Sequence, residues 1–302
     1  MLDPIAFSLG FLEVRWYGLL IGMGALAGLW LAVREGKRFG LDAEFFTDIL
    51  LVGLPTAVLC ARLYYVLFNL DQYRSIWEAI GVWNGGLAIH GAIIGALIGG
   101  GWVIRRRGYS FWRVADICAP SLIIGQIVGR WGNFFNREAY GGPVEEAFLR
   151  EGLMLPDWIV NQMLIRGVYH HPTFLYEMIW NVMGIALLFY LRRRPFVRSG
   201  ELLMTYLGWY SVGRFFVEGF RTDSLNITLP ESIAYVLNAL WHPMVWLGFE
   251  QGALPAGNVR VAQLISVIIL IAVVVIVSVR RRAGELPKYS DPITSSLKEA
   301  VA

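Results

Sequence analysis

The sequence predicts an all-α polytopic membrane protein of about seven transmembrane helices. Its N-terminus is expected outside, its C-terminus in the cytoplasm, and a small extracytoplasmic cap on top. Three observations predict this. First, 56% of the 302 residues are hydrophobic and 16% charged, whereas a soluble domain carries about a quarter charged residues. Second, seven apolar segments, near 16–33, 46–68, 86–104, 111–129, 172–191, 201–219 and 261–279, approach the ~20 residues that a bilayer crossing requires. Third, 16 of the 26 Lys and Arg residues fall in alternate flanks: Arg34 to Arg38, Arg105 to Arg113, Arg192 to Arg198, and Arg280 to Lys298. The opposite side has few short-loop basic residues and an acidic-leaning stretch with Glu138, Glu145, Glu146, Glu151 and Asp157. The positive-inside rule turns that asymmetry into an orientation.

The same pattern excludes other classes. The net charge is +3 and the pI about 8.9, but the basic residues sit in short loops between apolar runs, so no nucleic-acid partner is expected. Cys60 and Cys118 both lie inside apolar stretches and read as small buried residues rather than a disulfide framework. MLDPIAFSLG has neither a basic n-region nor an A-x-A-like site, so no cleaved signal peptide is expected. Residues 1–282 read as one integral membrane domain. Its cap segments are about 131–171 and 220–260, where EEAFLREGLM and ESIAYVLNALW are short amphipathic stretches. The polar tail 283–302 reads as disordered.

Taken in order, the segments carry unusual polar groups. Segment one opens Arg15-Trp16-Tyr17-Gly18, where Trp16 and Tyr17 also suit an interfacial anchor. Segment three, GGLAIHGAIIGALIGGG, holds the one histidine inside an apolar run, His90. Its Gly91, Gly95 and Gly99 form a small-residue ridge for close helix approach. Segment four, which carries Arg113 and Asp116 near its start, ends in QIVGRWGNFFNREAYGG. There Arg130, Asn133 and Arg137 would share a face if the helix persisted, with Asn136, Glu138 and Tyr140 beside them. Arginine and asparagine interleaved with glycine suit an oxyanion-binding turn; the alternative is a helix end in an aromatic belt. Segment five opens HHPTFLYE, and Glu177 lies inside its apolar run beside Tyr176.

Segment six, ELLMTYLGWYSVGRFFVEGFRTD, places Tyr210, Arg214, Glu218 and Arg221 within an arc of about 80° on one helix face. An arginine at the bilayer centre costs roughly 2.5–3.5 kcal/mol on insertion scales, so Arg214 requires a partner, and Glu218 stands one turn on. A buried packing pair is the alternative. Two arginines to one carboxylate leave a net positive site that favours an anionic ligand. Arg214 lies about 13 residues into its segment, or some 20 Å at 1.5 Å per residue. His90, Glu177 and Tyr17 fall in the first turns of segments that start outside, and Arg130 lies far along a segment that starts inside. Five segments thus deliver polar groups to one layer in the outer half of the bilayer.

These residues carry a resemblance. GRWGNFFNREAYGG, RWYGL, GGLAIHG, HPTFLYE, YxxxRFFVEGFRTDSL and NVRVAQLIS occur in order across about 15–275, and together they resemble the bacterial prolipoprotein diacylglyceryl transferases. The resemblance implies an inner-membrane transferase. It would move the diacylglyceryl group of phosphatidylglycerol to the lipobox cysteine of a secreted prolipoprotein, forming a thioether and releasing glycerol phosphate. Its partners would be that lipid and the prolipoprotein signal peptide with its lipobox; no metal or cofactor is implied. The family's essential signature arginine falls on Arg130, with Asn133, Asn136, Glu138 and Gly141 as companions. Its second essential arginine falls on Arg214, with Tyr210, Glu218 and Arg221. Its histidine falls on His90 and its N-terminal tyrosine on Tyr17.

The expected division of labour follows. Arg130 and Arg214 clamp the phosphate, Asn133, Asn136 and Tyr210 orient it, and Glu218 holds Arg214. The thiol is activated by His90 or by the arginine field alone. Three features depart from the pattern. Arg137 stands where glycine is frequent, Ala262 stands where some members carry glycine, and the stretch between RTDSL and NVRVAQ is longer than usual. The competing classes are a secondary transporter, which would usually show paired repeats and a midplane site, and a non-catalytic lipid-binding membrane protein. An intramembrane protease lacks its nucleophile or metal motif.

Overall fold

The computed structural model describes residues 2–9, 12–73, 75–252, 254, 257–284 and 286–293. Its helices are α1 (Trp16–Lys37), α2 (Ala43–Leu67), α3 (Ile76–Ile80), α4 (Ile89–Arg106), α5 (Phe111–Asn136), α6 (Asp157–Gln162), α7 (Thr173–Leu191), α8 (Glu201–Glu218), α9 (Glu231–Trp241), α10 (Pro243–Trp246) and α11 (Val261–Arg282). Three antiparallel strand pairs accompany them: β1 (Ile5–Leu9) with β2 (Leu12–Arg15), β3 (Leu164–Ile165) with β4 (Val168–Tyr169), and β5 (Asn226–Thr228) with β6 (Asn258–Arg260). Among the described residues, five helices are long and apolar enough to cross a membrane: α1, α2, α5, α7 and α11. Two of the seven expected segments fall short of that measure. Helix α4 has 18 residues and ends in Arg105 and Arg106, and α8 has 18 residues that include Glu201, Arg214 and Glu218. The charges that single out α8 are the ones that lower its apolarity.

The chain, read above as one membrane domain, divides into two compact units, 1–28 with 119–288, and 29–118 with 289–302. In the second unit α2 packs along α4, and the glycine ridge is the reason. A Cβ at Gly91 would run into the Cys60 carbonyl, at Gly95 into the Thr56 carbonyl, and at Gly99 into the Thr56 hydroxyl. Only a bare backbone permits this approach, which replaces the hydrophobic driving force that lipid does not supply. Overpacking a close interface costs roughly 1–3 kcal/mol, so Gly95→Val is expected to lower the thermal midpoint in detergent by several degrees. An unchanged midpoint would show that the ridge carries little stability.

Arg62, 5% exposed, donates to the carbonyls of Glu78 (2.9 Å), Ala79 (2.6 Å), Gly85 and Gly86 (3.2 Å). A buried guanidinium with its donors on carbonyl dipoles holds the 78–86 segment to α2. The tail departs from its expected disorder over 286–293. In the first unit the Pro287 carbonyl accepts from the Ser199 N–H at 2.9 Å, and the Leu286 carbonyl accepts from Arg198. In the second, Tyr289 is buried, donates to Glu35 Oε1 at 2.7 Å, and meets Phe39 edge-on. A buried aromatic with a satisfied hydroxyl orders a segment whose average polarity suggested otherwise. The rest of the tail, 294–302, lies outside the described residues.

In the first unit α8 packs on α7 and α11. Trp180 and Trp209 stack between α7 and α8 with ring centroids 4.2 Å apart, and each indole N–H donates to the other's carbonyl at 2.8 Å. Each ring lies against a glycine of the opposite helix, Trp180 on Gly213 and Trp209 on Gly184. This lock sits one residue from Arg214 and one turn from Glu177, so it sets the distance between the two helices that carry them. The segment ESIAYVLNALW becomes α9, whose Ala234, Leu237 and Trp241 are buried with Phe215, Phe220 and Val259. Within EEAFLREGLM, residues 148–152 form one π-helical turn.

Candidate functional site

The charged residues that the sequence placed in one layer converge at neighbouring ends of α5, α7 and α8 in the first unit. Arg130 Nε lies 2.6 Å from Glu177 Oε2, and the other oxygen of Glu177 lies 3.5 Å from Arg214 Nη1. Arg214 Nη2 is 2.5 Å from Glu218 Oε2, and Arg221 Nε approaches the same oxygen at 3.8 Å. Arg221 in turn forks onto Asp223 at 2.8 and 2.9 Å. The result is an alternating row: Arg130, Glu177, Arg214, Glu218, Arg221, Asp223.

The carboxylates are sunk deeper than the guanidiniums. The side chains of Glu177 and Glu218 are 9% and 3% exposed, against 18% for both Arg130 and Arg214. The positive groups therefore face the accessible side. Each guanidinium has five N–H donors, and these ion pairs use only some of them, so the row can still accept an oxyanion. At the rim, burial works against the Asp223 carboxylate, but the paired Arg221 outweighs it and holds the carboxyl below its usual range. Burial, followed by the neighbouring His170, draws the His171 imidazole down, and its Nδ1 meets the Tyr176 hydroxyl at 3.0 Å.

The exit of α5 explains the signature turn. The Glu138 N–H reaches the Asn133 carbonyl at 3.1 Å and the Arg137 N–H reaches the Phe134 carbonyl at 3.3 Å. This pairing is a Schellman motif, which places Arg137 at the left-handed C′ position with φ +52°. Glycine is the residue favoured there, which accounts for the glycine that the resemblance expects; a non-glycine residue costs roughly 1–2 kcal/mol in that conformation. The helix therefore does not persist to Arg137, and the expected shared face of Arg130, Asn133 and Arg137 is corrected. Arg137 turns aside and donates to Gln162 Oε1 at 3.0 Å. Asn133 stays with the site. Its Oδ1 lies 3.4 Å from Arg130 Nη1, and its amide donates to Glu138 at 3.0 Å.

The loop beyond is pinned on both sides. The Gly141 N–H donates to the His171 carbonyl at 3.0 Å, and the Gly142 N–H donates to the Phe220 carbonyl at 2.9 Å. Gly141 bridges to Arg221, and a Cβ on it would stand 2.7 Å from that of His171. Thr173 at the start of α7 donates to the Ala139 carbonyl. These bonds tie the signature loop to the entry of α7 and the exit of α8, the two helices that supply Glu177 and Arg214.

Of the remaining predicted residues, Tyr210 lines a small cavity with Glu177, Trp180, Asn181, Gly213 and Arg214. The Tyr17 ring packs where a Cβ on Gly132 would fall, two residues along α5 from Arg130 and one before Asn133. Asn136 Oδ1 is buried without a partner among the described residues. His90 belongs to the second unit, exposed on the first turn of α4, with its ring 5.9 Å from that of Tyr64. Sequence reasoning set Glu177 in the polar layer without a role and did not select Asp223. A buried acid inside an apolar run was the available signal for Glu177; the RTD sequence, with i and i+2 charges in a turn, was the signal for Asp223.

The comparisons with known proteins agree with one another. A sequence model of the family described as prolipoprotein diacylglyceryl transferase matches residues 4–279. A phosphatidylglycerol--prolipoprotein diacylglyceryl transferase of Bacillus cereus (strain G9842) is 48% identical over 292 residues, covering 96% of this chain and 97% of the relative. Proteins of the same name from Geobacillus kaustophilus (strain HTA426) and Bacillus mycoides (strain KBAB4) are 49% and 48% identical. The first alignment covers 94% of each chain and the second 95%. The chain belongs to the prolipoprotein diacylglyceryl transferase family.

Proposed function

We propose that this protein transfers the diacylglyceryl group of phosphatidylglycerol to the lipobox cysteine of prolipoproteins. The observation that carries the reading is the arginine row, in which Glu177 links Arg130 to Arg214 at 2.6 and 3.5 Å and leaves guanidinium donors on the accessible side. Such a row suits a phosphodiester: two planar forks bind its non-bridging oxygens and stabilise the charge that grows as the phosphate departs.

The cysteine sulfur attacks the glycerol carbon that bears the phosphate. The carbon–oxygen bond breaks, its electron pair leaves with glycerol phosphate, and a thioether forms. The thiol proton passes to a base, because thiolate is the nucleophile. Arg130 and Arg214 clamp the phosphate. Asn133, Asn136, Glu138 and Tyr210 set its orientation with the Gly141 turn, Arg221 adds positive charge at the rim, and Tyr17 closes the α5 side. Glu218 holds Arg214.

The sequence pattern nominates His90 as the candidate base, with activation of the thiol by the arginine field alone as the alternative. General-base catalysis contributes about 10²–10⁴-fold, so His90→Gln is expected to lower kcat at least a hundredfold at neutral pH. Retention of most activity would overturn the base assignment and leave the arginine field as the activator. The reading places seven helices across a bacterial plasma membrane, N-terminus outside and C-terminus cytoplasmic, with the site toward the outer leaflet. It rests there on the alternation of basic flanks. The reaction is tested with purified protein in detergent, phosphatidylglycerol and a synthetic lipobox peptide. A peptide mass increased by one diacylglyceryl group supports transfer; lipid binding by folded protein with no adduct would favour a lipid-binding role.

A further inference from the structure

Arg260 lies in the NVRVAQLIS stretch, but the reaction scheme gives it no part. It closes β6 immediately before α11 and is 1% exposed, far more buried than Arg130 or Arg214. Its backbone is fixed by the ladder with Asn226 and by the Val261 N–H donating to the Leu225 carbonyl at 2.9 Å. That ladder begins a few residues beyond Arg221 and Asp223. One guanidinium nitrogen, Nη2, donates to the Gly252 carbonyl at 2.7 Å, and the Gly252 N–H donates to the Gly219 carbonyl at 3.0 Å. Arg260 is thus joined, through one residue of the long 220–260 segment, to the turn that follows Glu218.

Its other nitrogens, Nε and Nη1, are buried and have no partner among the described residues. Buried cationic donors without an acceptor are strongly unfavourable, so the two idle nitrogens call for one. Glu218 directly precedes Gly219, to which Arg260 is joined through Gly252, and its charge offsets in part the desolvation that draws the guanidinium pKa down. Glu218 already holds Arg214 at 2.5 Å and feels Arg221 at 3.8 Å. Arg214 can offer its spare donors as it stands, but turning its whole fork onto a lipid phosphate loosens it from Glu218, a carboxylate only 3% exposed.

We propose that Arg260 is a positioning residue for the reaction, the reserve partner that takes over Glu218 when Arg214 turns to the phosphate of the lipid. It spares Glu218 the desolvation cost of being left with only the more distant Arg221, at 3.8 Å, and so frees Arg214. This rests on the reading that Arg214 binds the phosphate. Without Arg260, Glu218 keeps Arg214, and the lipid must compete for it.

The test is a double-mutant cycle on purified protein, with initial rates measured against phosphatidylglycerol at saturating lipobox peptide. Arg260→Gln is expected to raise KM for the lipid about tenfold, with KM for the peptide unchanged. The same change made on Glu218→Gln is expected to add almost nothing, since groups acting through one partner are not additive. Arg260→Lys, which retains the charge, is expected to recover most of the lipid affinity. Multiplicative losses in the cycle, or a lowered thermal midpoint with KM unchanged, would overturn the proposal and make Arg260 only a latch on Gly252. If Arg260→Gln fails to fold, Arg260→Lys crossed with Glu218→Asp reads the same coupling. Full activity in Arg214→Ala would remove the underlying reading; loss there with additivity in the cycle would remove this inference alone.

Discussion

Arg214→Ala and Arg130→Ala are each expected to abolish transfer while leaving the protein folded. Loss of a single preorganised donor to a developing charge costs about 10²–10³ in rate, and an arginine removes a fork of donors together with a full charge. Arg214 stands between Glu177 and Glu218, and Arg130 holds the far oxygen of Glu177, so either change takes away one jaw of the clamp. Arg→Lys is not conservative at a forked site; Arg214→Lys is expected to retain charge yet lose most activity. Initial rates of adduct formation beside a thermal melt separate chemistry from folding. An active Arg130→Ala enzyme would mean that the phosphate is held elsewhere.

The second large effect is expected at Glu177. Removing one partner of a buried ion pair costs about 3–5 kcal/mol, because the remaining charge is stranded. Here Glu177→Ala leaves two guanidiniums facing each other at the ends of α5 and α8. The expected results are a lower thermal midpoint and loss of transfer together. Glu177→Gln retains the shape of the side chain and is expected to soften the midpoint less while still losing activity, since a neutral amide no longer holds both arginines. If Glu177→Gln transferred at the normal rate, Glu177 would be a packing residue and the row would not be the working unit.

What the sequence made legible was local. Arg214 and Glu218 stand one turn apart on one helix, so their pairing follows from the 3.6-residue period, and the structure places them 2.5 Å apart. The Gly91, Gly95 and Gly99 ridge is similarly periodic, and it meets another helix as expected, that helix being α2. What was not legible depends on how the chain ends its helices and which helices meet. Arg137 leaves the face of Arg130 because α5 terminates in a left-handed residue, and helix ends are the least readable boundaries. Glu177 reaches Arg130 and Arg214 across 47 and 37 residues of chain; that distance is closed by the Trp180–Trp209 lock and the loop pinned by Gly141 and Gly142, and none of those contacts has a spacing signature. Tyr289 is a similar case. The polarity of its segment suggested disorder, and one buried ring with one hydrogen bond to Glu35 outweighed it.

The central claim is that the Arg130–Glu177–Arg214 row directs cleavage at the phosphate-bearing carbon of phosphatidylglycerol. The most direct measurement uses phosphatidylglycerol labelled separately in its acyl chains and its phosphate, with a lipobox peptide and either unmutated or Arg214→Ala protein. The account predicts acyl label in a peptide thioether and phosphate label in free glycerol phosphate, in equal amounts. Both should disappear in Arg214→Ala, which is expected to stay folded with a lowered thermal midpoint because Glu218 loses its 2.5 Å partner. Phosphate label retained on the peptide, or equal yields from both proteins, would contradict it.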